Sequence, residues 1–362
     1  MHVRIAELAG DGVGPELMGA CKPILFKAAQ LGGHTFTLYP AKVGWAAYDD
    51  CGDTMPQKTW DVCHSCDCIL FGAVGLPARD GSLESALRPE KHALLPMRKE
   101  FGLGCNIRPV RIYNWLEEIS PLKNRLIAGG LEITFFRELI GGDYFGERRI
   151  DPDGNWAEDT CRYERWQIVN IARAAFEMAR LKGQKVTSVD KANVLGATGT
   201  YWRKIVDEVH NADFTGVRLE HLFVDAFNAY LIMNPKRFQI VLTSNMFGDI
   251  LSDGGGGLAG SLGFLPSASI NPATGFGLYE PAAGSAPTIA GKGIANPIGM
   301  ALSIAMMFRY TFRCEQTARR IEQAVYQALQ NGYRTADLIP EGDNKVALST
   351  KDMVFEIMRE LE

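Results

Sequence analysis

The sequence predicts an α/β protein. Three observations carry that expectation. Strand-like runs rich in β-branched and aromatic residues alternate with segments of helical periodicity. Glycines and prolines punctuate the joins. The 362 residues, 46% of them hydrophobic, suffice for two lobes with a sizeable core.

In chain order, "VRIAEL" reads as a strand, and a helix follows from Gly14 to Leu31. That helix opens on Pro15 and Glu16, both favoured in a first turn. "TFTLYP" and "DCILFGAVG" are the next strands, the second buried and ending in glycines; "RPEKHALLPMRKEF" begins a helix. "LEITFFREL" is a strand, and "RYERWQIVNIARAAFEMARLKG" a long helix closed by Gly183. "KVTSVDKANV" and "RFQIVLTSN" are strands that run into turns, and two helices follow in "NPIGMALSIAMMFRYTF" and "CEQTARRIEQAVYQALQNG".

Composition excludes several classes. Net charge is -4, with no basic block to attract nucleic acid or an anionic membrane. The longest apolar stretch, "GMALSIAMMF", falls well short of the ~18 residues of a membrane span. The N-terminus lacks the pattern of a secretory signal, so a cytoplasmic protein is expected. The eight cysteines are expected as free thiols. "CHSCDC" gathers Cys63, His64, Cys66 and Cys68, but no second separated pair exists to complete a zinc site, and buried thiols are the better reading.

The stretch "SNMFGDILSDGGGGLAG" is the most pointed. Asp249 and Asp253 are four apart, so a helix sets them side by side about 6 Å apart along its axis. Their repulsion is relieved by a cation, and oxygen-only donors favour Mg²⁺ or Mn²⁺. Asp225 offers a third carboxylate; the alternative is a solvated helix face. The glycine run predicts a loose turn, or else close approach of another backbone or a partner. Arg98, Arg108 and Arg137 stand in apolar or strand contexts, where a guanidinium needs an anion. Singly each reads as an ion pair; together with a metal they suit a small dicarboxylate substrate. Tyr144 and Lys191, at or near turns, are candidate proton-transfer groups.

Together these motifs resemble the isocitrate/isopropylmalate dehydrogenase family of β-decarboxylating dehydrogenases. The likeness runs through "GDGVGPE", "FGAVG", "ALLPMRKEFGLGCNIRPV", "RELIGGDYFGE", "VTSVDKANVL", "SNMFGDILSD" and "EPAAGSAPTIAGKGIANP". It implies a large twisted mixed sheet with flanking helices and two interwoven lobes: residues 1–105 plus 260–362 on the cofactor side, and residues 106–259 for substrate, metal and dimerisation. It implies oxidative decarboxylation of a 3-carboxy-2-hydroxy acid of the 3-isopropylmalate type, with NAD, Mg²⁺ or Mn²⁺, and K⁺ as an accessory ion. The substrate residues would be Arg98, Arg108 and Arg137, with Leu94 and Leu95 facing an apolar substituent. The metal ligands would be Asp225, Asp249 and Asp253. Tyr144 and Lys191 would be the acid/base pair, with Lys191 and Asp225 reaching the site of a second subunit in a homodimer. Cofactor contacts would come from Ala73, Gly75, Asn106, Gly284, Ser285, Ala286, Thr288, Ile289 and Asn296.

Two positions depart from the family pattern. Ala283 and Thr288 stand where NAD-dependent members commonly carry a histidine that packs on the adenine and an aspartate that binds the ribose. Only Lys292 is near to meet a 2′-phosphate, so the change is no switch to NADP. The glycine run and the loop "GLPARDGSLES" also differ from the usual form. Alternatives are a relative acting on tartrate, malate, homoisocitrate or a specialised biosynthetic acid, and a metal-dependent lyase or binding protein with a weakened NAD site.

Overall fold

The computed structural model describes residues 1–362. Twelve strands form: β1 His2–Gly10, β2 Thr35–Pro40, β3 Cys68–Ala73, β4 Cys105–Ile112, β5 Leu131–Glu138, β6 Arg148–Ile150, β7 Ala157–Asp159, β8 Val186–Asp190, β9 Leu219–Phe223, β10 Ile240–Thr243, β11 Pro266–Ile270 and β12 Gly277–Pro281. Ten of them make one mixed sheet in the order β2-β1-β3-β12-β11-β4-β5-β10-β8-β9, while β6 and β7 pair as a separate antiparallel ribbon. No helix is long and apolar enough to cross a membrane.

The chain divides into two compact units. The first comprises Met1–Phe101, Gly260–Ala268 and Thr274–Glu362. Its strands β2, β1, β3 and β12 pair in parallel. The buried side of Gly14–Leu31, including Leu17, Cys21, Ile24 and Leu25, supplies part of its core. Helix Ile298–Tyr310 is buried along nearly its whole length, as its continuous apolar run requires. The second unit comprises Gly102–Ala259 and Ser269–Ala273. Here β4 pairs antiparallel with β5, and β5, β10, β8 and β9 continue in parallel. Helix Arg165–Lys182 starts in a capping box between Glu164 and Gln167 and ends at Gly183 with positive φ.

Two expectations are corrected. A third C-terminal helix, Thr350–Glu360, follows the two foreseen; Ser349 caps it, accepting the Asp352 N–H, and Met353, Val354 and Ile357 fill its buried face. Nor is the glycine run a loose turn: helix Asn245–Leu258 continues through it. The cost of roughly 1 kcal/mol per glycine is offset by tertiary contacts. A Cβ on Gly255 would lie 3.1 Å from a Val110 methyl and 3.3 Å from the Phe135 ring, tighter than ordinary contact, so glycine eases the close approach of the helix to β4 and β5. The Ser120 hydroxyl donates to the Leu258 carbonyl at 2.6 Å and satisfies the helix end.

Candidate active site

The Asn245–Leu258 helix starts directly after β10 and carries both predicted aspartates. Asp249 is a junction. Its Oδ1 accepts from Arg137 at 2.6 Å and lies 3.4 Å from Arg108, while its Oδ2 accepts from the Tyr144 hydroxyl at 2.8 Å. Asp253 accepts from Arg108 at 2.8 Å, and the same guanidinium donates to Ser252 Oγ at 3.0 Å. Burial pushes the Asp253 carboxyl above its ordinary value; Arg108 opposes this and the Asp249 charge adds to it. The structure therefore brings together Arg108, Arg137, Tyr144, Asp249 and Asp253, five residues singled out in the sequence.

Buried partners hold them in place. Arg137, at 1% exposure, donates through Nε to the Asn245 carbonyl and through Nη2 to Asn245 Oδ1 at 2.7 Å. Its guanidinium lies 5.5 Å from the centre of the Tyr144 ring. A Cβ on Gly248 would come within 2.5 Å of Arg137 Cγ, so that glycine makes room for the arginine. Asn245 Nδ2 donates to the Gly141 carbonyl at 2.9 Å, and the Asn245 N–H donates to the Tyr163 hydroxyl at 3.0 Å. Sequence reasoning missed Asn245, Gly248 and Ser252, although all three lie in the quoted motif. Their side-chain types carry no signal until β5 is known to run alongside.

Glu138, fully buried at the end of β5, was also missed. Its carboxylate accepts the Ile140 and Gly141 N–H groups, both at 2.9 Å, yet burial dominates and pushes it up to about 7. A carboxyl raised on folding stabilises the protein most below its unfolded value. That contribution is lost as pH rises from about 4.5 through about 7 and is flat beyond. At about 1.4 kcal/mol per unit, the fall amounts to at most about 3.5 kcal/mol. Urea unfolding across this range should show the wild-type advantage over Glu138→Gln shrinking as pH rises. A difference that does not vary with pH would refute the assignment.

Lys191 and Asp225 lie elsewhere in the same unit. They form an ion pair with each other, which holds the Asp225 carboxyl below its ordinary value. Within one chain no three His, Cys, Asp or Glu side chains group closely enough to hold a metal. Asp225 thus does not join Asp249 and Asp253 in the isolated chain. The pair by itself still suits a hard divalent cation, because Mg²⁺ is commonly held by one or two carboxylates with water and substrate completing its shell.

In the first unit, Arg98 is 6% exposed and contacts Glu280 at 3.4 Å, with its Nε unpartnered. The Arg108 Nε in the second unit is likewise unpartnered. Buried guanidiniums with unused donors fit anionic ligands. Leu94 and Leu95 are half-buried at the junction of a π-helical turn, Glu90–Leu94, and helix Leu95–Glu100; such turns are frequent at functional sites. Asn106, in the second unit, is buried and donates to Ser269 Oγ at 3.1 Å.

Of the remaining predicted cofactor residues, Ala73 and Gly75 meet Asp11, which the sequence reading quoted but gave no role, and Ser285 meets Val13 beside it. Asp11 is 4% exposed and accepts the Gly75, Trp45 and Ala46 N–H groups at 2.9, 3.1 and 3.0 Å. Its own N–H donates to the Ala73 carbonyl at 2.7 Å, and the Val13 N–H donates to that of Ser285 at 2.8 Å. Gly284, Ala286, Gly291 and Gly293 have positive φ, and Cβ atoms on those three glycines would meet nothing within 4 Å. The loop backbone is thus uncovered beside these glycines. The Ile289 N–H donates to the Ala286 carbonyl at 3.1 Å, and Thr288 is exposed. Glu16 holds the far end, accepting the Gly293 and Ala295 N–H groups, both at 3.2 Å. Asn296 Oδ1 accepts from Ile298 at 3.0 Å, and its Nδ2 donates to Asp337 at 2.9 Å.

A mixed sheet, a carboxylate pair backed by buried arginines and a tyrosine, and an open glycine-rich loop define a dehydrogenase of the β-decarboxylating class, dependent on NAD and a divalent metal. The family model for isocitrate/isopropylmalate dehydrogenase matches residues 4–357, and the chain belongs to that family. It is 47% identical over 352 residues to a 3-isopropylmalate dehydrogenase of Haemophilus influenzae (strain 86-028NP), covering 96% of each chain. It is also 47% identical over 361 residues to the 3-isopropylmalate dehydrogenase of Photorhabdus laumondii, covering 99% of this chain and 98% of that one. Among solved structures, isocitrate dehydrogenase from Methylococcus capsulatus aligns with a TM-score of 0.84 at 30% identity, covering 100% and 99% of the two chains. A β-decarboxylating dehydrogenase from Thermococcus kodakarensis aligns at 0.78 and 34% identity, covering 99% and 96%.

Proposed function

We propose that this chain oxidises and decarboxylates 3-isopropylmalate to 2-oxoisocaproate with NAD⁺, using Mg²⁺ or Mn²⁺ and assisted by K⁺, as a cytoplasmic step of leucine biosynthesis. The observation that carries the reading is the convergence of Arg108, Arg137 and Tyr144 on Asp249 and Asp253. The relatives named above support the substrate, and half-buried Leu94 and Leu95 suit its branched apolar group.

In this reading Asp249 and Asp253 hold the cation, while Arg98, Arg108 and Arg137 bind the substrate carboxylates. When bound, the cation supplies Lewis-acid charge and the nicotinamide a hydride acceptor. Lys191 takes the hydroxyl proton, and Tyr144 delivers a proton to carbon after carbon dioxide has left. Lys191 and Asp225 serve the site of a second copy, so the enzyme works as a homodimer with shared sites. Exposed Tyr230, Ile232 and Met233 on helix Val224–Met233 and Ile250 beside Asp249 favour such a partner face. Residues 283–296, with Ala73, Gly75 and Asn106, hold the dinucleotide.

Spectrophotometric NADH formation with Mn²⁺ and K⁺ tests the proposal over 3-isopropylmalate, malate, tartrate, isocitrate and homoisocitrate, each with NAD⁺ and NADP⁺. Turnover should be greatest with 3-isopropylmalate and NAD⁺. Preference for another acid would overturn the substrate, and preference for NADP⁺ the cofactor. Exposed Thr288 can offer the ribose only a neutral hydrogen bond. Introducing Ala283→His and Thr288→Asp together should therefore tighten NAD⁺ binding roughly tenfold, about 1.4 kcal/mol, with metal affinity unchanged. Calorimetric titration of both ligands checks this, and an unchanged Kd for NAD⁺ would show that the loop backbone suffices.

A further inference from the structure

We propose that Asp190 and Gly199 are positioning residues for Lys191, holding the turn that presents its amine; this rests on Lys191 being the proton-transfer group. Asp190 ends β8 and is 3% exposed. Its Oδ1 accepts the Ala192 N–H at 2.8 Å, closing the backbone across Lys191. Its Oδ2 accepts from Arg203 Nε at 2.6 Å and lies 3.9 Å from His221 Nδ1. On its other side, His221 Nε2 is 2.8 Å from Asp207 Oδ1. The Arg203 guanidinium also lies 4.7 Å from the centre of the Phe223 ring. Arg203 and Asp207 belong to helix Thr198–Asp213, so this helix, β8 and β9 are tied together at the residue before Lys191.

Two further features constrain the same turn. Asp190 and Phe223 are paired in the sheet, so Lys191 leaves β8 level with the chain that leads from β9 to Asp225. The Lys191–Asp225 ion pair follows from that register. On the helix side, a Cβ on Gly199 would lie 2.7 Å from Ala192 Cα and 2.9 Å from its N. These are backbone atoms, which cannot rotate away. The Lys191 carbonyl accepts the Val194 and Leu195 N–H groups at 3.0 and 2.8 Å. An ion pair at a strand end requires neither the bare glycine contact nor the bridged backbone, but an amine that must meet one proton in one place requires both.

The test compares Asp190→Ala, Asp190→Asn, Gly199→Ala and Lys191→Met. kcat is counted per cofactor-binding site titrated by calorimetry, so any unfolded fraction drops out. Asp190→Ala should lower kcat by about 10–100-fold with both KM values unchanged. Asp190→Asn still accepts the Ala192 N–H and should recover most of that loss, whereas a role in the Arg203 ion pair alone predicts no recovery. Gly199→Ala should lower kcat at least about tenfold, and it decides the matter if Asp190→Ala does not fold. Wild-type kcat in Asp190→Ala or Gly199→Ala, beside an inactive Lys191→Met, overturns the positioning role and leaves the Lys191 reading standing. An active Lys191→Met overturns that reading, and the inference with it.

Discussion

Asp249→Asn is expected to lower kcat by about 10²–10³-fold and to weaken Mn²⁺ binding measurably by calorimetry. Asp249 meets Arg137, Arg108 and Tyr144 at once, so the variant changes more than a metal ligand. An amide cannot neutralise Arg137, which is 1% exposed, although its Asn245 hydrogen bonds and the Tyr144 ring remain. Leaving that guanidinium without its carboxylate should cost about 1–3 kcal/mol, nearer the lower end because Asp249 itself is partly solvated. Asp253→Asn should cost less stability, since Asp253 meets only Arg108 and its side chain is 50% exposed. Comparable loss of Mn²⁺ affinity in both variants, with a larger fall in Tm for Asp249→Asn, is the expected pattern. Wild-type Mn²⁺ affinity in both would remove the metal assignment.

Tyr144→Phe is expected to lower steady-state kcat by about 10²–10⁴-fold while leaving Tm almost unchanged. Phenylalanine keeps the ring beneath the Arg137 guanidinium and removes only the hydroxyl that donates to Asp249 at 2.8 Å. Because the proposed role falls after oxidation, the first NADH should still form. Rapid mixing should therefore show a burst of about one NADH per site, then slow turnover, as expected when a late step limits the rate. A uniformly slow first turnover would move Tyr144 to an earlier step; undiminished kcat would end its role as the acid.

Much of the local structure was legible in the sequence. The long helix announces its end at Gly183, the Gly14–Leu31 helix shows its first turn, and β5 and β8 stand out as apolar runs. The Asp249–Asp253 spacing places both carboxylates on one helical face, because 3.6 residues per turn leave no other outcome once the segment is helical. Arg137 within β5 signals a buried charge in need of an anion, and that signal was correct. Isolated side chains were harder. Asp11 reads as part of a glycine turn, yet its three backbone donors come from residues 45, 46 and 75, brought to it by the pairing of β1 with β3 and by the loops around them.

What the sequence by itself determined is the identity of the chemical groups and the local geometry that presents them: hard oxygens four apart, guanidiniums on strands, a tyrosine and a lysine at turns. These depend on residue type and helical or strand period, which are properties of neighbours along the chain. Only the tertiary structure decided that the helix survives four glycines, that Asn245 and Gly248 seat Arg137, and that Asp249 joins two arginines and a tyrosine. Arg137 and Asp249 are 112 residues apart in the chain. No local propensity specifies such a contact. It exists because β5 and β10 pair side by side, and close packing then leaves the buried arginine one carboxylate and one glycine-lined groove in which to lie.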